Sequence, residues 1–297
     1  MAVSIREGNH DDLAPAVRLL SDVDRTRVLT EAGFRHRLLG SPPEARRTWW
    51  AARDGATLVG WAGASVAHET TARGGYVGVT ISPSHRGRGL GTALLERARA
   101  HLERSPRIHA ETFEDGRGFA ERHGFRHTRT RRVSGVDPRL VDTSELDTSS
   151  VEVVSLLEAG PEQTFAVDAE SVLDEPGDEA FDAVEYGQWL RDYWEHPDLD
   201  FDVGRGTIVD GTAVAISMVL VDRESRRAFN AYTGTLRAHR SRGLARLAKL
   251  GAMRRLAELG VTMVLTENDE TNAAMLAINE RLGYRPVASR YSYVFDR

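Results

Sequence analysis

Two short runs carry the most legible chemistry in this chain: Arg86-Gly87-Arg88-Gly89-Leu90-Gly91 and, slightly altered, Arg240-Ser241-Arg242-Gly243-Leu244-Ala245. Each follows a strand-like stretch (Tyr76 to Ser82; Phe229 to Leu236) and opens an amphipathic helical pattern. A glycine-rich turn between a strand and a helix N-terminus gathers backbone N–H groups around one point and suits a diphosphate. Small residues at Gly89 and Gly91 let the backbone approach such a ligand, and Arg86 and Arg88 add charge-assisted hydrogen bonds. Neither loop is a Walker A loop, because neither ends in Gly-Lys-Ser/Thr. Neither is a Rossmann fingerprint, which follows the first strand of a βαβ unit rather than a fourth strand.

The elements around the loops recur as well. Asp54-Gly55 starts an apolar run and so does Asp210-Gly211, and a helical segment closes on His123-Gly124-Phe125 in one half and Leu282-Gly283-Tyr284 in the other. The three landmarks repeat in order at offsets of 156, 154 and 159 residues, which reads as a tandem duplication. Each half has the order β-α-α-β-β-β-α-β-α-β. In the first, the expected pieces are a strand at Ser4-Ile5-Arg6, helices over Asp11 to Asp22 and Arg25 to Leu39, and a hairpin turning at Asp54-Gly55. A strand over Arg73 to Ser82, a helix over Leu90 to Glu103, a strand over Arg107 to Phe113, a helix over Arg117 to His123 and a closing hairpin pair over Phe125 to Val136 complete it. Leu94, Leu95, Ala98 and Leu102 fall on one face of the long helix. Asp137 to Ser150 reads as a linker. The second half restarts at Val151 to Leu157, with helices around Phe165 to Leu173, Phe181 to Trp194, Leu244 to Leu259 and Asn272 to Leu282.

Composition bounds the chemistry. The 297 residues are 41% hydrophobic and 28% charged, ordinary for a globular protein. Zero cysteines exclude disulfides, thiolate metal sites and a cysteine nucleophile. The polar N-terminus and the lack of any long apolar run point to a cytoplasmic protein without a membrane span. No His/Asp/Glu cluster has metal-ligand spacing. The net charge of −5 hides a strongly acidic tract: residues 140–202 hold 19 Asp/Glu and one basic residue, Arg191. Lys249 is the only lysine, every other Lys/Arg position being arginine. That bias fits a genomic preference. Net negative charge and a near absence of lysine argue against nucleic-acid binding through His85 to Arg88 or Arg126 to Arg132.

The pattern Arg-x-x-Gly-x-Gly/Ala between a central strand and a long helix resembles the acetyl-coenzyme A loop of the GNAT (Gcn5-related N-acetyltransferase) family, Gln/Arg-x-x-Gly-x-Gly/Ala. Over nearly its whole length the chain resembles the tandem GNAT group, two-domain acetyltransferases of the mycothiol synthase type. The resemblance implies an α/β (α+β) chain of two tandem GNAT-like domains, residues 1–147 and 148–297, each a mixed sheet flanked by helices. It implies acetyl-coenzyme A as cosubstrate. Its pyrophosphate would sit on Arg86, Gly87, Arg88, Gly89, Leu90, Gly91 and Thr92 in the first half, and on Arg240, Ser241, Arg242, Gly243, Leu244 and Ala245 in the second. Val79 and Ile81, with Thr233 and Thr235, would pair by backbone with the pantetheine arm.

The family's last helix often carries an Asn and, four residues before Gly-Phe, a Tyr that protonates the leaving thiolate. Here the tyrosine position is Ala120 or Asn279 and the asparagine position Phe113 or Asn272. The second half therefore keeps more of the chemistry and the first half the cleaner loop. The expected catalytic set is Glu267 as base, with Asn272 and Asn279; Glu111 and Glu114 are the first-half counterparts of Glu267. His85 and His239 sit beside the loop arginines as packing or phosphate-contacting residues, and His68 is a minor base candidate. Lacking cysteine, the chain favours direct attack by a primary amine of a small molecule on acetyl-coenzyme A. The alternative is a non-catalytic acyl-coenzyme A sensor. The acidic tract reads as a solvated surface, with attraction of a cationic amine as its functional alternative.

Overall fold

The computed structural model describes residues 3–67, 74–176 and 183–297; His68 and part of the expected Phe181 to Trp194 helix lie outside them. The chain divides into two units, residues 1–130 with 290–297, and residues 131–289.

Unit 1 holds β1 (Ser4–Glu7), α1 (Leu13–Val23), α2 (Glu31–Leu39), β2 (Thr48–Asp54), β3 (Thr57–Val66), β4 (Gly75–Ile81), α3 (Leu90–His101), β5 (Arg107–Thr112), α4 (Arg117–Arg122) and the start of β6 (Arg126–Val136). Its sheet runs β1-β2-β3-β4-β5 and then takes Tyr291–Asp296 against β5, antiparallel. α3 covers one face with Leu94, Leu95, Ala98 and Leu102, all fully buried as their helical spacing predicts. α1 and α2 cover the other face, where Leu13, Leu20, Phe34 and Leu38 meet Ala51, Leu58 and Trp61. The helix expected from Arg25 begins only at Glu31, because Thr30 turns extended and caps it by accepting from Gly33 N at 3.0 Å.

Unit 2 holds the rest of β6, then α5 (Glu145–Thr148), β7 (Glu152–Ser155), α6 (Leu156–Ala159), α7 (Pro161–Ser171), α8 (Tyr186–Trp189), β8 (Arg205–Val209), β9 (Thr212–Asp222), β10 (Arg227–Thr235), α9 (Leu244–Glu258), β11 (Met263–Asp269), α10 (Ala273–Arg281) and the start of β12 (Arg285–Asp296). Its sheet runs β7-β8-β9-β10-β11 and takes Arg131–Val136 of β6 against β11. The β8–β9 hairpin turns on Asp210-Gly211, both at positive φ, the geometry that matches the strand twist. α9 packs Leu247, Leu250, Met253 and Leu256 on one face; α7 and α8 pack Val167 and Trp189 on the other.

Two expectations are corrected. Phe125 to Val136 is not a hairpin pair: β6 is one continuous strand of 11 residues, with no turn residue to fold it back. Asp137 to Ser150 is not a free linker, since Val141 and Leu146 pack into the core beneath α9 and Arg254 donates to Thr143 O at 2.7 Å. The division of the chain at 130/131, with a return at 290, differs accordingly from the 147/148 boundary read from the sequence.

Candidate active site

In both units two parallel strands part at the sheet centre. β4 pairs β5 only through Val77↔Ala110, and β10 pairs β11 only through Asn230↔Thr266. Beyond those points one edge of the first strand is open. In unit 1 the amide of Ser82 bonds Val59 O on β3, so by alternation the backbone groups of Val79 and Ile81 face the opening. In unit 2 Leu236 N bonds Val214 O on β9, and Thr233 and Thr235 face the opening likewise.

The glycine loops stand at the ends of these openings. Gly89 and Gly243 sit at φ +79° and +77° and lead into α3 and α9 without a side-chain cap, so first-turn N–H groups at Leu90, Gly91 and Thr92, or at Leu244 and Ala245, are left for a ligand or water. A Cβ built on either glycine meets nothing within 4 Å, which leaves the approach to both helix ends open. The conformation, not crowding, is what demands glycine there. At the preceding left-handed position the copies differ, Gly87 at φ +73° against Ser241 at φ +63°.

The first loop arginines act as struts. Arg86 Nε donates to Ile81 O at 3.3 Å and its fork to Asp115 at 2.7 Å; Arg240 Nε donates to Thr235 O at 3.2 Å and its fork to Asp174 at 2.7 Å. Arg88 and Arg242 donate to the carbonyls of Ser84 and Ala238 at 3.0 and 3.3 Å. Arg237 also grips Asp174 through both nitrogens at 2.8 Å, and with Arg240 it holds that carboxyl far below the usual range. His85 lies against Ser84 and Asp54 rather than in the opening.

The sequence-named catalytic trio divides. On β11, Val264 and Thr266 face α9, so Asn268 shares their side and Glu267 takes the opposite one. Asn279 is buried and donates to Asn268 Oδ1 at 2.7 Å, while its own oxygen has no hydrogen-bond partner among the described residues. Asn272 caps α10, accepting from Met275 N at 3.2 Å. Glu267 pairs with Arg131 at 2.8 Å.

On the Glu267 side the fold gathers groups the motif reading passed over. Asp168 on α7 accepts from Trp189 Nε1 at 2.6 Å, and burial pushes its carboxyl up to about 6, with Glu175 adding to the rise. Desolvation of its carboxyl raises Glu175 too, opposed by Arg131, although the residue as a whole is exposed. Tyr232 of β10 shares a 2.7 Å hydrogen bond with Ser171 of α7, and burial raises its phenol. The only sequence signal for this face is the acidic tract, which names no individual residue.

The Asp168 shift has a consequence for stability. Between 3.8 and about 6 the native state binds the proton more tightly than the unfolded chain, so the charged carboxylate costs stability as pH rises through that window. Asp168→Asn keeps an acceptor for Trp189 and removes the charge. Urea unfolding at pH 8 should find the variant more stable by roughly 2–3 kcal/mol, shrinking to nothing near pH 4; equal stability at pH 8 contradicts the buried charge.

Among the described residues no group of three or more His, Asp or Glu could hold a metal ion, and no helix is long and apolar enough to cross a membrane. The acetyltransferase (GNAT) family model matches residues 16–125. No curated protein matches the sequence. Among solved structures, a tandem GNAT protein from the clavulanic acid biosynthesis pathway, solved without acetyl-coenzyme A, is 18% identical over 99% of this chain and 98% of its own, with a TM-score of 0.74. A GCN5-related N-acetyltransferase from Sphaerobacter thermophilus is 14% identical over 99% and 95%, TM-score 0.73. Saccharomyces cerevisiae N-myristoyltransferase, with bound myristoyl-coenzyme A, is 11% identical over 99% and 78%, TM-score 0.64. Likeness at these identities is likeness of fold, and it spans both units. Both units together have the fold of tandem GNAT proteins, and residues 16–125 match the acetyltransferase (GNAT) family model.

Proposed function

We propose that the protein moves an acetyl group from acetyl-coenzyme A to a primary amine of a small molecule, by direct attack, in unit 2. The observation that carries the choice of unit is a β-bulge. β10 shifts register against β9 between Asn230 and Tyr232, leaving Ala231 extra and exposed at the mouth of the opening, whereas β4 pairs β3 without a break. A bulge frees backbone groups from the ladder and re-aims them. At the mouth of the opening, such groups favour the oxyanion that develops on a thioester carbonyl.

The acidic face beside the bulge suits an amine acceptor. Glu267, paired with Arg131, orients the incoming ammonium, and Glu175, whose carboxyl is raised, takes its proton. The neutral nitrogen attacks the acetyl carbonyl and forms the C–N bond. The C–S bond then breaks, the nitrogen loses its remaining extra proton to water as the amide forms, and coenzyme A leaves as a thiolate protonated by water or stabilised by the Asn279 amide. A Glu175→Gln variant tests the base: kcat/KM should fall about tenfold to a hundredfold, and the loss of activity seen in the parent as pH falls through the raised Glu175 pKa should vanish. A variant with the parent's pH profile removes Glu175 from this role. The reading as a whole is tested by following thiol release from acetyl-coenzyme A against a panel of small primary amines.

For unit 1 a second reading has its own support. Ala120 stands at the proton-donor position, Phe113 at the asparagine position, and β4 has no bulge. Unit 1 thus keeps the cradle without the chemistry and binds acyl-coenzyme A as a non-catalytic sensor.

A further inference from the structure

The one lysine of the chain is buried. Lys249, on α9, is 1% exposed; its ammonium nitrogen hydrogen-bonds Asn230 Oδ1 and lies 5.2 Å from the centre of the Tyr284 ring. Asn230 is the last residue of β10 paired to β11, and its side chain spans the bulge. Its amide nitrogen reaches Ser217 Oγ at 2.8 Å, Met218 O at 3.1 Å and Tyr232 O at 3.2 Å, while its oxygen also accepts from Thr233 Oγ1 at 3.0 Å. One amide therefore ties the partner strand to the residue after the bulge, and Lys249 fixes which way that amide points.

The duplication supplies an internal control. At the loop offset of 154 residues Lys249 corresponds to Leu95. Ahead of the extra residue of the bulge the offset falls to 153, so Asn230, the last residue of its strand paired to the parallel neighbour, corresponds to Val77, and at the closing offset of 159 Tyr284 corresponds to Phe125. The copy with the polar set has the bulge; the copy with Leu95 and Phe125 in its core has an unbroken β3–β4 register. A buried cation is costly, so keeping a compact ammonium here, in a chain that uses arginine elsewhere, needs a local reason.

We propose that Lys249 is a positioning residue for acetyl transfer: through Asn230 it holds the β10 bulge in the shape that presents the Ala231 N–H to the thioester carbonyl. The proposal rests on unit 2 being the catalytic unit. Burial alone lowers the lysine to about 7, and Tyr284 is the titratable side chain facing it; Ser217, Thr233 and Thr266 supply only neutral groups. In the unfolded chain the amine titrates near 10.5, so native stability should climb with pH between about 7 and 10.5, a slope that Lys249→Met removes.

The test uses the full chain, acetyl-coenzyme A as probe, and backbone amide resonances as readout. In the parent, acetyl-coenzyme A but not coenzyme A should move the Ala231 amide, and both should move Leu244 and Ala245. Lys249→Met should fold at least as stably, keep the Leu244 and Ala245 responses, and lose that of Ala231. Its kcat should fall about tenfold or more, with KM for acetyl-coenzyme A within about twofold. Lys249→Gln, which still donates to Asn230, should restore the Ala231 response and remove the pH dependence. An Ala231 response that survives in Lys249→Met, or Met and Gln variants that behave alike, overturns the proposal. Leu244 and Ala245 resonances silent in the parent overturn the unit 2 reading itself, and the proposal with it.

Discussion

Ending the chain at Ser289 should unfold unit 1, although the residues removed are the last in the sequence. Residues 290–297 belong to unit 1, where Tyr291–Asp296 pair antiparallel with β5 from Thr112 to Arg107. Tyr293 and Val294 are 1% and 2% exposed, and Phe295 packs under the Arg99 guanidinium at 4.1 Å. Burying Tyr293 and Val294 alone contributes about 3–6 kcal/mol, against a net domain stability of about 5–15 kcal/mol. The deletion also leaves Glu121 without the 2.9 Å hydrogen bond from Tyr293 Oη and strips one edge of β5 of its ladder. Hydrogen exchange followed by mass spectrometry should show β3 and β5 exchanging at unfolded rates while β9 and β10 stay protected. Native protection in β5 after the deletion contradicts the assignment of the C-terminal strand.

The same strand explains what the sequence could not show. The repeat was legible because loops, turns and helix faces are local: Asp210-Gly211 must turn, Gly89 and Gly243 must take positive φ, and Leu94, Leu95, Ala98 and Leu102 must share a face. Strand partnership is not local. Arg126 to Val136 alternates and looks complete in itself, which suggests a hairpin; nothing within those residues says that part belongs to one unit and part to the other. The site divides in the same way. Each glycine loop is a contiguous motif and could be read directly. The acidic face assembles Asp168, Glu175, Tyr232, Arg131 and Glu267 from four separate segments, and Lys249 meets Asn230 across 19 residues, so neither has a spacing to recognise. The bulge itself is a register shift of one residue, visible only once β9 is paired beside β10.

Gly243→Val and Gly89→Val should part company in the transfer assay. The two glycines have nearly the same backbone, φ +77° and +79°, the same uncapped helix behind them and the same open space in front. A β-branched residue at such a φ costs on the order of 1–3 kcal/mol of backbone strain, and the strain is relieved by turning the loop N–H groups away from the diphosphate. Each substitution therefore disables one cradle with little effect on the core beneath it, and the pair asks which cradle feeds the chemistry. With the bulge and the acidic face in unit 2, Gly243→Val should lower kcat/KM for acetyl transfer at least about 100-fold, a loss of about 2.7 kcal/mol in transition-state binding. Gly89→Val should leave it within about threefold. Calorimetry with coenzyme A gives the complementary reading: on the proposal that both cradles hold ligand and one turns it over, each variant should bind one equivalent fewer than the parent. The opposite kinetic pattern, with turnover lost only on changing Gly89, moves catalysis to unit 1 and makes the bulge of β10 a feature of a binding site.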